Sequence, residues 1–301
     1  MDLQAIRTFC RAVEAGNLTA AAKALHITKS VASRRCQSLE DGLGVKLLAR
    51  NTKGVTPTDE GALFYERGIR ILDDVEDAAQ AVKHTSDNLV GTLRFTAPRS
   101  FADLKLGPPL MAFAQQHPGL KLEMNLTDER VDIIGGGFDL GLRIAPELSD
   151  TSLIARKICD IRHHVVASPA YLEAHGTPKT PEDLKDHNCV FYSNVEAAKQ
   201  WRFGTGNNAR AVRVTGQVTS NSGLMQLAAA VEGVAIATLP DFFLEDAVRD
   251  GKVIKLFEDV PRAPSYLYAL YPERRLLPLK VRLFIDFMAD WFAVPENHCE
   301  V

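Results

Sequence analysis

The chain has 301 residues, 46% hydrophobic and 24% charged, ordinary globular values that exclude a disordered or fibrous protein and leave room for about two domains. Its net charge of −3 is unevenly spread: residues 1–57 hold nine Lys or Arg against four acids, a net of +5, and the rest hold 26 against 34, a net of −8. A basic head on an acidic body points to a polyanion-binding module joined to a second domain.

In the head, Leu3, Ile6, Phe9, Cys10 and Val13 recur at helical spacing and predict one apolar stripe. Gly16 then stops the helix and Asn17 caps the next. Thr19 to Leu25 predicts a short helix whose alanines (20, 21, 22 and 24) let another helix approach closely. After the tight connection His26-Ile27-Thr28, with Thr28 as cap, a third helix runs from Lys29 to Glu40. Val31, Ala32, Arg35 (by its stem), Cys36 and Leu39 face inward, which leaves Lys29, Ser30, Ser33 and Arg34 at the outward N-terminal end. Short polar and basic groups there suit the major groove, where base edges are read while flanking charges hold phosphates. Gly42-Leu43-Gly44-Val45 turns the chain, Lys46 to Arg50 predicts a strand, and Val55-Thr56-Pro57 returns after a turn at Gly54. This hairpin is a wing, with Arg50 and Lys53 set for phosphate or minor-groove contact.

The motifs Arg7-Thr8-Phe9, Leu18-Thr19-Ala20-Ala21-Ala22, Leu25-His26-Ile27-Thr28, Ser30-Val31-Ala32-Ser33-Arg34, Leu43-Gly44-Val45 and Thr56-Pro57-Thr58-Asp59-Glu60-Gly61 follow in order and without gaps. They resemble the N-terminal domain of LysR-type transcriptional regulators. Lys29-Ser30 stand where many members carry Gln-Pro or Gln-Ser. Thr19, Thr28 and Thr56 complete the expected DNA-contact set of Lys29, Ser30, Ser33, Arg34, Arg50 and Lys53.

From Thr58 to about residue 88 no Pro interrupts the chain, and Asp59 and Glu60 favour the positive end of a helix. Tyr65, Ile69, Leu72, Val75, Ala79 and Val82 make one narrow stripe among charged neighbours. Such a stripe wants a partner from another chain, the alternative being a helix lying on its own body. The resemblance favours the former, because in this family the linker helix forms the dimer contact. It further implies a homodimer paired into a homotetramer through the effector domains, reading double-stranded operator DNA of dyad symmetry (the T-N11-A kind).

Beyond the linker, strands are expected at Gly91–Pro98, Leu120–Leu126 and Phe138–Ile144, with helices at Phe101–His117 and Val131–Ile134. The pattern restarts with strands at residues 164–169, 189–192 and 201–203, helix Gly223–Glu232, strand Val234–Leu239, helix Asp241–Asp250, strands Lys252–Leu256 and Leu267–Tyr271, and a C-terminal helix through Val281, Phe284, Phe287, Met288 and Trp291. Strands alternating with helices predict a mostly parallel α/β sheet. Gly91-Thr92-Leu93-Arg94, Phe138-Asp139-Leu140-Gly141-Leu142-Arg143-Ile144, Ala167-Ser168-Pro169-Ala170-Tyr171-Leu172 and Glu232-Gly233-Val234-Ala235-Ile236-Ala237 resemble the LysR effector domain. The resemblance implies an α/β chain with a winged helix-turn-helix (1–57), a linker helix (58–89) and a two-lobed, periplasmic-binding-protein-like effector domain (90–301). Lobe I would take about 91–163 and 268–301, and lobe II about 164–267.

In a two-lobed α/β body, ligands sit beyond the carboxyl ends of strands, near free helix N–H groups. Ser100 and Phe101 follow the first strand, Thr127 ends the second, and Asn221-Ser222 precede the helix starting at Gly223. Each alone reads as an ordinary cap; together they match effector-contact positions in similar regulators. Arg143 adds a cation or forms an internal salt bridge. A small organic effector, carrying a carboxylate in preference to a positive charge, is expected there.

No Gly-x-Ser-x-Gly, phosphate-binding loop or His-Glu-x-x-His occurs, so no enzyme and no cofactor is expected. His163 and His164 are adjacent and point to opposite faces of a strand, against a metal site, and Asp128-Glu129 reads as surface charge. Five scattered cysteines predict neither a disulfide framework nor a zinc site. The stretch Leu224–Pro240 is broken by Gln226, Glu232 and Gly233, and the N-terminus resembles no secretory leader. A cytoplasmic regulator with no membrane partner is therefore expected. The competing reading is a solute-binding or catalytic α/β protein with an accessory helical head; it should carry an export signal and has no need of a basic wing.

Overall fold

The structure, a computed structural model, describes residues 2–51, 54–83, 89–148, 152–194, 199–273 and 277–294. It divides into two compact units, residues 1–87 and 88–301.

In the first unit, α1 (Leu3–Ala15) starts at Asp2 and stops at Gly16, whose φ of 65° is left-handed. Asn17 caps α2 (Leu18–Ala24), accepting the Ala20 amide at 2.6 Å. The connection turns through His26 at φ 54°, a left-handed value that non-glycine residues rarely take. Thr28 caps α3 (Lys29–Leu43), which runs three residues past Glu40 and ends on Gly44. Strands β1 (Leu48–Asn51) and β2 (Gly54–Pro57) pair antiparallel, Leu48 opposite Pro57, and form the wing. Ile6, Phe9, Cys10, Ala21, Ala32, Cys36, Leu39 and Leu47 make the core. Leu3, expected in the stripe, is 42% exposed. Thr8 lies inside instead, its hydroxyl satisfied by the Gln4 carbonyl at 2.6 Å.

The long helix α4 (Asp59–Lys83) begins against the wing. The Thr58 hydroxyl donates to the Lys46 carbonyl at 2.7 Å, and a Cβ on Gly61 would lie 2.0 Å from the Leu47 oxygen. Phe64, Tyr65, Ile69 and Leu72 pack on the core of their own unit, with Phe64 edge-on to Phe9 at 5.6 Å. The first half of the expected stripe is thus used within the chain. The side chain of Val82 lies outside the described residues.

The second unit opens with β3 (Gly91–Ala97), followed by α5 (Arg99–Phe101), a π turn (Ala102–Leu106) and α6 (Gly107–Gln116), then β4 (Leu120–Leu126) and β5 (Leu140–Ala145). The helix expected at Val131–Ile134 is absent: the chain makes turns there, with the Gly135 amide bonded to the Asp132 carboxylate at 2.9 Å. After β6 (Leu153–Ile161), unforeseen in the sequence, the chain crosses at Arg162 into β7 (His163–Ala167). There follow α7 (Pro169–His175), β8 (Asn188–Tyr192), β9 (Gln200–Phe203), β10 (Arg210–Arg213), β11 (Thr215–Ser220), α8 (Gly223–Val231), β12 (Ala237–Pro240), α9 (Glu245–Arg249), β13 (Ile254–Leu256), β14 (Ser265–Pro272) and α10 (Leu279–Ala293).

One sheet has the order β4-β3-β5-β14-β6. Strands β3, β4 and β5 are parallel, and β14 runs antiparallel to β5 and β6. Phe284 of α10 closes this lobe against Phe95 and Phe113, at 5.1 and 5.2 Å. The second lobe is built on β12-β7-β13 and the parallel pair β11-β8, joined where Cys189 bridges Ile236. Cys10, Cys36 and Cys189 are buried thiols outside any disulfide. Cys159 on β6 is disulfide-bonded, contrary to the expectation from spacing.

Candidate functional site

Two surfaces hold the expected functional residues. On the first unit, Thr19, Thr28, Lys29, Ser30, Arg34 and Thr56 are exposed and Ser33 is half-buried. The Thr28 hydroxyl accepts the Val31 amide at 3.3 Å and meets the Ser30 hydroxyl at 2.9 Å, so cap and recognition side chain are ordered together. Ala32, Cys36 and Leu39 anchor the opposite face of α3 in the core. Arg50 lies on β1, opposite Val55; its side chain, and Lys53 altogether, lie outside the described residues.

Glu40 joins the recognition helix to the wing. Only 7% exposed, it accepts the amides of Leu47 and Leu48 at 2.9 and 3.0 Å and the Lys46 ammonium at 2.8 Å. Burial works against its charge, but the bonds from Lys46 and the two amides outweigh that and hold the carboxyl below the usual range.

On the second unit, the carboxyl ends of parallel β3 and β4 lead to Ser100 and Thr127, the crevice position of α/β sheets, and Arg143 lies within neighbouring β5, opposite Tyr268. Ser100 is half-buried in α5. Thr127 donates its amide to the Ala97 carbonyl at 2.9 Å, and its hydroxyl accepts the Glu129 amide at 3.2 Å. Phe101, expected at the cleft, is fully buried with its ring on Phe242 and Phe292 at 5.1 and 5.9 Å. Its side chain belongs to the core, because an unbroken apolar cluster there offers a large ring more than a polar cleft does.

In the second lobe Asn221 is exposed, and Ser222 caps α8 through the Met225 amide at 3.4 Å. A hydrogen bond joins the lobes, from the Asn194 side chain to the Asp128 carbonyl at 3.4 Å, and within the second lobe the Ser193 amide donates to the Ser220 carbonyl at 3.0 Å. Phe101 meets Phe242 edge-on and Phe242 lies tilted against Phe243, and a Cβ on Gly223 would meet the Phe243 ring at 2.2 Å. Lys105 pairs with Glu245 across the same seam at 3.1 Å.

Arg143 is half-buried, donating to the Leu142 carbonyl at 2.8 Å and the Thr96 hydroxyl at 3.2 Å. Burial lowers its pKa, and only the charge of Asp128 opposes this. No described carboxylate lies within ion-pair distance. Asp128 itself, read from sequence as surface charge, is half-buried between the lobes, and burial raises its pKa. Tyr192, at the end of β8, faces it and is raised likewise, by burial first and then by the Asp128 charge. These two were missed because a lone Asp or Tyr after a strand carries no periodic signal; position beside Thr127 was the one available clue.

Among the described residues no group of three or more His, Cys, Asp or Glu is placed to hold a metal, and no helix is long and apolar enough to cross a membrane. Residues 3–62 match the bacterial regulatory helix-turn-helix protein, lysR family, and residues 86–293 match the LysR substrate binding domain. The chain is a LysR-type transcriptional regulator. This regulator is 36% identical over 93% of its length, and 96% of the relative's, to an uncharacterized HTH-type transcriptional regulator of Haemophilus influenzae. It is 30% identical to the HTH-type transcriptional regulator PtxR of Pseudomonas aeruginosa, covering 96% of this chain and 93% of that one. Among solved structures, CrgA of Neisseria meningitidis aligns at a TM-score of 0.60 with 28% identity, covering 96% and 98% of the two chains. Full-length AphB, a virulence activator of Vibrio cholerae, aligns at 0.57 with 28% identity, covering 97% and 99%. The LysR-type regulator thus combines a helix-turn-helix DNA-binding domain with an effector-binding domain of mixed helix and sheet.

Proposed function

We propose that this regulator acts in the cytoplasm as a homodimer paired into a tetramer, reads dyad-symmetric operator DNA of the T-N11-A kind, and changes its grip when a small organic carboxylate enters the cleft between its lobes. The exposed N-terminal end of α3, with Thr28, Lys29, Ser30 and Arg34 open to solvent over a buried Ala32-Cys36-Leu39 face, carries this reading. Lys29, Ser30, Ser33 and Arg34 enter the major groove, while Thr19, Arg50, Lys53 and Thr56 hold the flanking backbone. Two heads related by a two-fold axis read two half-sites.

Val75 supports the dimer: it continues the Tyr65-Ile69-Leu72 stripe of α4 past the residues that pack on the unit's own core and is 39% exposed. Ser100, Thr127, Arg143, Asn221 and Ser222 line the effector cleft. An effector that binds one arrangement of the lobes better than another shifts the balance between them, and this difference is the lever on DNA binding.

Footprinting on the DNA upstream of the protein's own gene, with wild type and a Lys29→Ala, Arg34→Ala double variant, tests the DNA assignment. Loss of a base contact should cost about 1–3 kcal/mol at its base pair, and loss of a phosphate contact should weaken all sequences alike. Full operator affinity in the double variant would sink the assignment. For the cleft, weaker effector binding in Ser100→Ala and Thr127→Ala is expected; unchanged affinity in both would move the site elsewhere.

A further inference from the structure

Resting on the major-groove reading above, we propose that Gln37 is a further specificity-determining residue: its side-chain amide reads one adenine in each half-site, from the same stripe of α3 as Ser30, Ser33 and Arg34. An α-helix turns about 100° per residue, so Gln37 returns to within roughly 20° of Ser30. The burial of α3 follows that period. Ala32, Cys36 and Leu39 are buried, whereas Ser30, Arg34 and Gln37 are exposed and Ser33 is half-buried. The offsets i, i+3, i+4 and i+7 are those by which the recognition helix of a homeodomain reads base edges. Ser38, also exposed, stands about 80° from Ser30 and so lies off the stripe.

The primary amide of Gln37 carries a donor and an acceptor side by side, and this pair matches N6 and N7 of adenine in the major groove. A glutamine and an aspartate four residues apart on a helix can bond to each other. Among the described residues, however, the Gln37 amide bonds neither Asp41 nor any other group. Other polar side chains of the unit are engaged, Arg11 with Glu14 and Lys46 with Glu40. Asp41, exposed one turn beyond Gln37, ends the stripe, because a carboxylate there is repelled by phosphates. At about 1.5 Å per residue, Gln37 lies roughly 4.5 Å along the axis from Arg34, so its base is about one or two base pairs from the one that Arg34 reads.

Selection from a randomised duplex library by the full-length protein tests this, in wild type, Gln37→Ala, Gln37→Glu and Arg34→Ala. Wild type should select adenine over the other bases roughly tenfold or more at one position of each half-site, the scale of a bidentate contact. Gln37→Ala should lose that preference, keep the rest of the site and retain the wild-type melting temperature. Gln37→Glu should prefer cytosine there, since a carboxylate accepts from its N4 amino group. Replacing the adenine by 7-deazaadenine removes the N7 acceptor, which should weaken wild type and leave Gln37→Ala unchanged. An unchanged selected site in Gln37→Ala overturns the proposal, as does a loss spread evenly over all sequences, the signature of a phosphate contact. If Arg34→Ala relaxes one base and Gln37→Ala relaxes none, the role of Gln37 fails and the major-groove reading stands; if neither relaxes any base, both fall.

Discussion

Glu40 shows how a single residue joins reading head to wing. Its carboxylate satisfies two buried amides that no strand partner reaches, those of Leu47 and Leu48. Glu40→Ala should therefore cost about 2–4 kcal/mol, the penalty for leaving two buried donors unpaired. Because the folded carboxyl is held below the usual 4.5, its contribution is complete above that value and is lost as pH falls through the folded value. Urea melts of both proteins at stepped pH values check this, with the wild type expected to approach the variant on acidification. A gap that persists unchanged at the acid end would mean that the charge of Glu40 contributes nothing. Sequence reading placed Glu40 at the end of the third helix but not in this role, since its partners follow seven and eight residues later across a turn.

At the scale of elements, α4 separates what periodicity tells from what it hides. Spacing identified the residues that share a helix face, yet Tyr65, Ile69 and Leu72 bury against their own α1 and α3 core, while Leu63, Ile71 and Val75 stay open. Leu72→Asp should thus destabilise the first unit by about 2–3 kcal/mol through burial of a charge. Val75→Asp should leave the melting temperature alone and weaken self-association, as seen by sedimentation at micromolar protein. A Val75→Asp protein that assembles like wild type would remove this face from the dimer. Strand β6 escaped sequence reading for a related reason. Its pairing with β14 slips between Leu267 and Tyr268, and such a bulge breaks the two-residue alternation by which strands are recognised.

Across the whole effector unit, the crossing from β6 to β7 carries His163, whose pKa is pushed down to about 4 by burial first and then by the Arg262 guanidinium. Arg262 itself lies over the Phe203 ring at 4.8 Å, and its pKa is lowered to about 10 by burial. Next to them His164 meets the buried Asp241 at 2.5 Å. The unfolded chain takes up a proton at His163 near pH 6.5 and the folded chain does so only near 4, so stability falls as pH drops through this window and levels off below it. Thermal melts of His163→Gln should show a shallower decline between those values than wild type. An identical slope would place the acid sensitivity in other groups.

The sequence by itself determined the head almost completely. Caps at Asn17 and Thr28, the Gly16 stop and the outward polar end of α3 all depend on neighbours within a few residues, where local hydrogen bonding and helical period decide the outcome. It also showed that strands alternate with helices in the effector unit, while β6, β10 and β11 went unforeseen and no helix forms at Val131–Ile134. Tertiary structure alone decided the cleft. Phe101 went to the core, Asp128 came to lie half-buried beside Asn194 of the other lobe, and Phe242 and Phe243 joined the lobes. Those placements depend on contacts between residues far apart in the chain, and burial of rings and pairing of charges across such distances leave no period for a sequence to display.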